Sequence, residues 1–142
     1  MPRAVVDPNV LISAAISPDG TTATILTALG SGRFELIVNE AVLDELNAVL
    51  ARDEFRRWMT LEEAREFVAS IRVSAITVSE VAPAEIRAPD GRDQYLVDLT
   101  TSSACDVLVS GDPHLLGLRT TLPVVTPRTF LDLIGVAEDA GR

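Results

Sequence analysis

The amino-acid sequence predicts an α/β protein with a central parallel sheet and helices on its faces. Three observations predict it. Short β-rich runs alternate with longer helical patterns along the whole chain, the signature of strand–helix–strand units. The chain has 142 residues, one domain's worth, enough to bury a core without disulfides or a structural metal. Hydrophobic residues make up 47% and charged residues 23%, a balance that excludes a disordered chain.

The elements follow in order. Ala4-Val5-Val6 is a short buried strand that stops at Asp7. Pro8 then opens a helix from about Asn9 to Ala15, because a proline at the first helical position forfeits no hydrogen bond. Ser17-Pro18-Asp19-Gly20 is a turn, and a second helix runs from Thr22 to about Leu29, closed by Gly30-Ser31-Gly32. Phe34 to Val38 is a strand, and Asn39 caps a helix reaching about Leu50. After the mixed segment from Asp53 to Trp58, Thr60 caps a helix from Leu61 to about Ile71, with Glu62 and Glu63 in its first turn. Ala75 to Val78 is a strand, followed by a loop holding Pro83 and Pro89. A helix from Asp93 to about Ser102 leads to the strand Val107-Leu108-Val109, and a short helix covers Pro113 to Leu118. Val124-Val125 is the last strand, and Pro127 starts a helix to about Ile134. The domain is expected over residues 1–134, with 135–142 a flexible tail.

Composition removes several functions. One cysteine, Cys105, cannot form an internal disulfide and reads as a small buried residue. One histidine, His114, excludes a multi-histidine zinc site. No lysine is present, so lysine-dependent mechanisms fall away. No apolar run is long enough to span a membrane, and Asp7 comes too early for a signal peptide, so a cytoplasmic protein is expected. The formal net charge of -9 argues against electrostatic capture of nucleic acid, unless part of it is a store of carboxylates for divalent cations.

Four acids stand out. Asp7 and Asp112 each end an apolar strand just before a helix, the place where open α/β sheets bind ligands. Gly111 is read as easing a tight turn there. The plain alternative for either acid is a helix cap. Glu45 has Val42, Leu46 and Val49 as helical neighbours, so it reads as projecting from a partly apolar stripe. An ion pair with an arginine, or a half-exposed edge position, competes with that reading. Asp93 has Leu96, Val97 and Thr100 beside it, with capping as its alternative. Asp90 is explained by turn chemistry and is kept as an outer supporting residue. Four such acids repel one another unless cations neutralise them. All-oxygen ligation points to Mg²⁺ or Mn²⁺, and the matching chemistry is phosphodiester hydrolysis without a side-chain nucleophile.

The same residues resemble a known family. Val5-Val6-Asp7-Pro8-Asn9 resembles the first motif of PIN domains, and Val42 to Leu50, with Glu45, the second. Asp90-Gly91-Arg92-Asp93-Gln94-Tyr95-Leu96 resembles the third, and Ala104 to Asp112, continued by Pro113 to Leu116, the fourth. The likeness covers about Arg3 to Leu133. It implies a three-layer α/β/α fold and a metal-dependent endoribonuclease acting on RNA, with Asp7, Glu45, Asp93 and Asp112 as catalytic metal ligands and Asn9 orienting them. In small chains of this kind it also implies the toxin of a type II toxin–antitoxin pair, a separately encoded antitoxin protein as partner, and a homodimer. Pro8 departs from the family's usual Thr or Ser, and Gly91-Arg92 from its usual Pro-plus-polar pair. Arg52, Arg56 and Arg57, beside Trp58, are candidates for an RNA phosphate patch or a protein contact. The competing readings are a non-catalytic binding or assembly module of the same fold, and an aspartate-based phosphotransfer enzyme. The second lacks both the acid expected at position 9 and a lysine.

Overall fold

The computed structural model describes residues 1–17 and 19–136. The predicted turn at Ser17 to Gly20 lies partly outside the described residues, as does the tail expected over 135–142; its first two residues, Gly135 and Val136, are instead tied to the last helix by hydrogen bonds to the Asp132 and Leu131 carbonyls. Five strands form one sheet: β1 (Arg3–Val6), β2 (Glu35–Val38), β3 (Ile76–Thr77), β4 (Val107–Val109) and β5 (Val124–Val125). All neighbours run parallel in the order β3-β2-β1-β4-β5. Their side chains are nearly all apolar and β-branched or leucine, and β1, β2 and β4 are almost wholly buried, as parallel strands covered on both faces must be.

Helices α1 (Pro8–Ile16) and α2 (Thr21–Gly30) connect β1 to β2, and α3 (Glu40–Leu50) and α4 (Leu61–Ser74) connect β2 to β3. The chain then crosses back through α5 (Gln94–Ser102) to β4, and α6 (Pro113–Leu116) precedes β5 and α7 (Pro127–Leu133). Because strand order reverses after β3, right-handed crossovers put these connections on opposite faces. The result is the expected three-layer α/β/α arrangement. Local sequence explains the helix starts. Asn39 Oδ1 accepts from Val42 N, and Thr60 and Glu63 form a reciprocal capping box.

Several element ends differ from expectation. The helix after Thr60 runs on to Ser74, three residues beyond Ile71, and the strand after it shrinks to Ile76–Thr77. The helix at Pro113 stops at Leu116, not Leu118, and hydrogen-bonded turns carry the chain on to Leu122. Asp93 closes a 3₁₀ turn (Gly91–Asp93), and α5 begins one residue later. Among the described residues no helix is long and apolar enough to cross a membrane.

The sheet topology fixes where a ligand belongs. The connection from β1 leads one way along the sheet and that from β4 leads the other. A crevice therefore opens between their carboxyl ends. Asp7 follows β1 there, and Ser110-Gly111-Asp112 follows β4.

Candidate functional site

Asp7 is only 4% exposed. It caps α1, Oδ1 accepting from Asn9 N at 3.0 Å, while Oδ2 accepts from Ser110 Oγ at 2.8 Å. Pro8 at the first position of α1 leaves that cap intact, since the donor is the next residue's N–H. Asp112 caps α6 in the same way, accepting from His114 N at 2.9 Å. Its own N–H donates to Ser110 Oγ at 3.0 Å. Capping and site-building are thus carried out by the same two acids. Ser110, fully buried, joins them by donating to one and accepting from the other. The sequence reading missed Ser110. The available signal was a polar residue closing a buried Val-Leu-Val run, but Ser before Gly reads first as turn chemistry.

Glu45 corrects an expectation. It is exposed rather than on an inward face, and Val42, Leu46 and Val49 beside it are buried. It stands at the rim and lines the same cleft as the other acids. No arginine pairs with it: the ion pairs among the described residues are Arg3–Glu35, Arg72–Glu40 and Arg92–Asp90. Asp93, half-buried at the start of α5, makes no capping hydrogen bond, which removes its plain structural role. Asp90 does keep its turn role, accepting from Arg92 N at 2.9 Å and pairing with the Arg92 guanidinium at 2.8 Å.

The four predicted acids therefore come from four elements to one cleft of about 590 Å³, also lined by Pro8, Asn9, Asp90, Arg92 and Tyr95. Burial pushes the Asp7 carboxyl above its ordinary range. The Asn9 N–H and Ser110 hydroxyl oppose that, and the charges of Asp112 and Glu45 add to it. Asp93 is pushed up by partial burial, by the charges of Asp112, Asp7 and Asp90, and by a hydrogen bond with the Asp112 carboxyl. Burial raises the Tyr95 phenol, and the charges of Glu45, Asp7 and Asp93 raise it further, so it stays a neutral donor. The half-buried Asp90 carboxyl is held down to about 2 by its hydrogen bonds with Arg92. Cys105 sits outside the cleft, its thiol pushed up to about 11 by burial, as suits an inert side chain.

These donors suit one kind of occupant. Carboxylate oxygens with no thiolate or imidazole among them match a hard divalent cation. Among the described residues, no three acid, histidine or cysteine side chains converge tightly enough to hold an ion as they stand. Burial, and after it the charges of the neighbouring acids, raise Asp7 and Asp93, so bringing positive charge to these oxygens would favour their ionised forms.

The three arginines singled out beside Trp58 lie elsewhere. None lines the acidic cleft. Arg56 turns its guanidinium onto the Leu50 carbonyl, with Nε and Nη1 buried and unpaired. Arg57 lies over the half-exposed Trp58 ring at 4.8 Å, and Arg52 is exposed.

A parallel α/β sheet with carboxylates gathered at its topological switch point defines an α/β domain with an acid-lined cleft at the carboxyl ends of its strands. A model of the PIN domain family matches residues 3–114, a span that includes all four acids. The chain belongs to the PIN domain family. Proteins of this family are generally nucleases and usually work with divalent metal ions. No curated protein matches the chain.

Proposed function

We propose that this chain is an endoribonuclease dependent on Mg²⁺ or Mn²⁺, with Asp7, Glu45, Asp93 and Asp112 as its catalytic acids. One observation carries the reading. Four carboxylates from separate elements line one cleft, and the only basic residue lining it, Arg92, is already paired with Asp90. Such an arrangement is costly unless something positive is bound there. Asp7, Glu45, Asp93 and Asp112 would hold a divalent cation, which would supply Lewis-acid activation of water and charge stabilisation at a phosphate.

The chain's own residues do the rest. Ser110 and the Asn9 N–H fix the Asp7 carboxylate from two sides, so its orientation is set before any ligand arrives. Asp112 is held to the same serine through its backbone. Glu45 and Asp93 close the cleft from α3 and the start of α5. The Asn9 side chain and Arg92 stand at the cleft, where each offers a donor to a phosphate.

The finer reading is a toxin of a type II toxin–antitoxin pair acting in the cytoplasm, with an antitoxin protein as partner and a homodimer as its assembly. Resemblance to small toxins of the family supports it. The exposed position of Glu45, away from the inward face expected of it, favours a second reading, a PIN-fold module that binds without cleaving.

The test is cleavage of a mixed single-stranded RNA pool with Mg²⁺, with Mn²⁺ and with EDTA. Wild type should cleave only with metal. Asp7→Asn should lose more than the roughly 10–100-fold that an outer-shell partner costs. Cleavage by Asp7→Asn at the wild-type rate would overturn the site. If no metal supports cleavage, calorimetry with Mn²⁺ decides between the two readings, since a binding module with a dead site takes up no ion.

A further inference from the structure

A second hollow, of about 410 Å³, opens on the other side of the acids. It shares Asp7, Asn9 and Asp112 with the acidic cleft. Its remaining walls are Val10, Ser13, Thr22, Gly111, Pro113 and Pro127, none of them charged. One wall belongs to α1 and α2, where the Thr22 hydroxyl donates to Ser13 Oγ at 3.3 Å. Asp7 and Asp112 thus border two hollows, one with further charged walls and one whose other walls carry no charge.

Gly111 makes the second hollow more than a chance depression. The sequence reading gave this glycine a conformational role, but its φ is not positive, so the turn after β4 does not need it. A Cβ at Gly111 meets nothing within 4 Å, so packing does not need it either. What the missing side chain does is leave the hollow open beside Asp112.

We propose that this hollow is a nucleoside subsite, seating the sugar and base next to the phosphate held at the acids. The inference rests on the ribonuclease reading above and adds where the substrate lies. Val10, Pro113 and Pro127 offer apolar surface to a base, and the hydroxyls of Ser13 and Thr22 face a ribose. The volume lies within the range of small-molecule sites. A strand laid across the acids has its phosphate at the carboxylates and an uncharged nucleoside against the uncharged walls beyond them.

Gly111→Leu fills the hollow from one wall, and Ser13→Leu fills it from the other without touching an acid. In metal-dependent cleavage of a short oligoribonucleotide, each should raise KM roughly tenfold or more, with kcat changed less. Gly111→Ala should show a smaller rise. Mn²⁺ affinity should be unchanged in all three. Wild-type KM in both leucine variants, with cleavage still abolished by Asp93→Asn, would overturn the subsite and leave the nuclease intact. Loss of Mn²⁺ affinity in Ser13→Leu would also overturn it, since the hollow would then be part of the metal centre. If the wild type cleaves nothing, the ribonuclease reading passes to Mn²⁺ calorimetry, and the hollow is tested apart from it. Titration with adenosine and uridine 5′-monophosphates then tests the hollow directly. Shifts at the Val10, Ser13 and Thr22 amides that vanish in Gly111→Leu support it, and their absence in the wild type refutes it.

Discussion

At the amino ends of β1, β2 and β4, acids have partners. Arg3 reaches Glu35 at 3.3 Å, and the Arg3 backbone N–H donates to Asp106 at 2.7 Å. At the carboxyl ends of the same sheet, Asp7, Glu45, Asp93 and Asp112 line one cleft, and no arginine pairs with any of them among the described residues. The same fold therefore carries acids at both ends of its strands: those at the amino ends have partners, and at the carboxyl ends only Asp90 is ion-paired, with Arg92. What separates a structural acid from a functional one here is the balance of charge around it. An acid that caps a helix, as Asp7 and Asp112 do, is not thereby accounted for.

The largest effect separating the two edges is expected at Ser110. Ser110→Ala removes the donor to buried Asp7 Oδ2 and the acceptor of Asp112 N. Cleavage should fall about 10–100-fold, the usual loss when the group orienting a metal ligand goes. Stability should fall by about 1–3 kcal/mol, because buried polar atoms lose their partner. Single-turnover cleavage and urea unfolding measure both. Full activity in this variant would show that the hydroxyl does not hold the site together.

Next in size is the pH dependence of the metal-free chain. Asp7 and Asp93 have folded values raised above the ordinary 3.8. Between 3.8 and those raised values the folded chain binds more protons than the unfolded one, so stability falls as pH rises through that window. The penalty is complete above it. Asp90 acts oppositely and earlier: held at about 2, its contribution is gained as pH rises from about 2 to 3.8. Urea melts in EDTA should therefore show stability declining above about pH 4, and Asp93→Asn should reduce the decline. Divalent cation should reverse it at neutral pH, by about 2.7 kcal/mol when its concentration is a hundred times Kd. Metal-free stability that climbs from pH 4 to 7 would show that ionising the buried Asp7 and the half-buried Asp93 costs the folded chain little.

Much of this was readable from residues, and the misses have physical causes. Val5-Val6 and Val107-Leu108-Val109 announce buried parallel strands, and Asn39 and Thr60 announce the helices they cap. The acids announced themselves through position: a strand end for Asp7 and Asp112, and a place beside apolar helical neighbours for Glu45 and Asp93. That argument misplaced Glu45. At about 100° per residue, Val42 and Val49 lie roughly 40–60° to one side of it, so it borders the apolar stripe without belonging to it. Ser110 and Gly111 were invisible for another reason. Each has an ordinary local explanation, a turn, and only the assembled carboxyl edge shows that one bridges two acids and the other borders an open hollow.

The smallest effect is expected at the neutral edge, and it sets the baseline for the others. Arg3→Ala removes an ion pair whose two side chains are each 37% exposed, and with it a long contact to the Ser103 carbonyl at 3.5 Å. It leaves the stronger link in place, because the donor to Asp106 is the Arg3 backbone N–H. A partly exposed pair of this kind contributes about 0–1 kcal/mol, so stability should drop by no more than that and lose salt sensitivity. Cleavage should be unchanged, since Arg3 sits at the opposite end of β1 from Asp7. If Arg3→Ala instead weakened cleavage as much as Ser110→Ala, the two edges would be coupled through the strand. The contrast between a neutralised edge and a reactive one would then be a single electrostatic system, with Arg3 tempering the acids across the sheet.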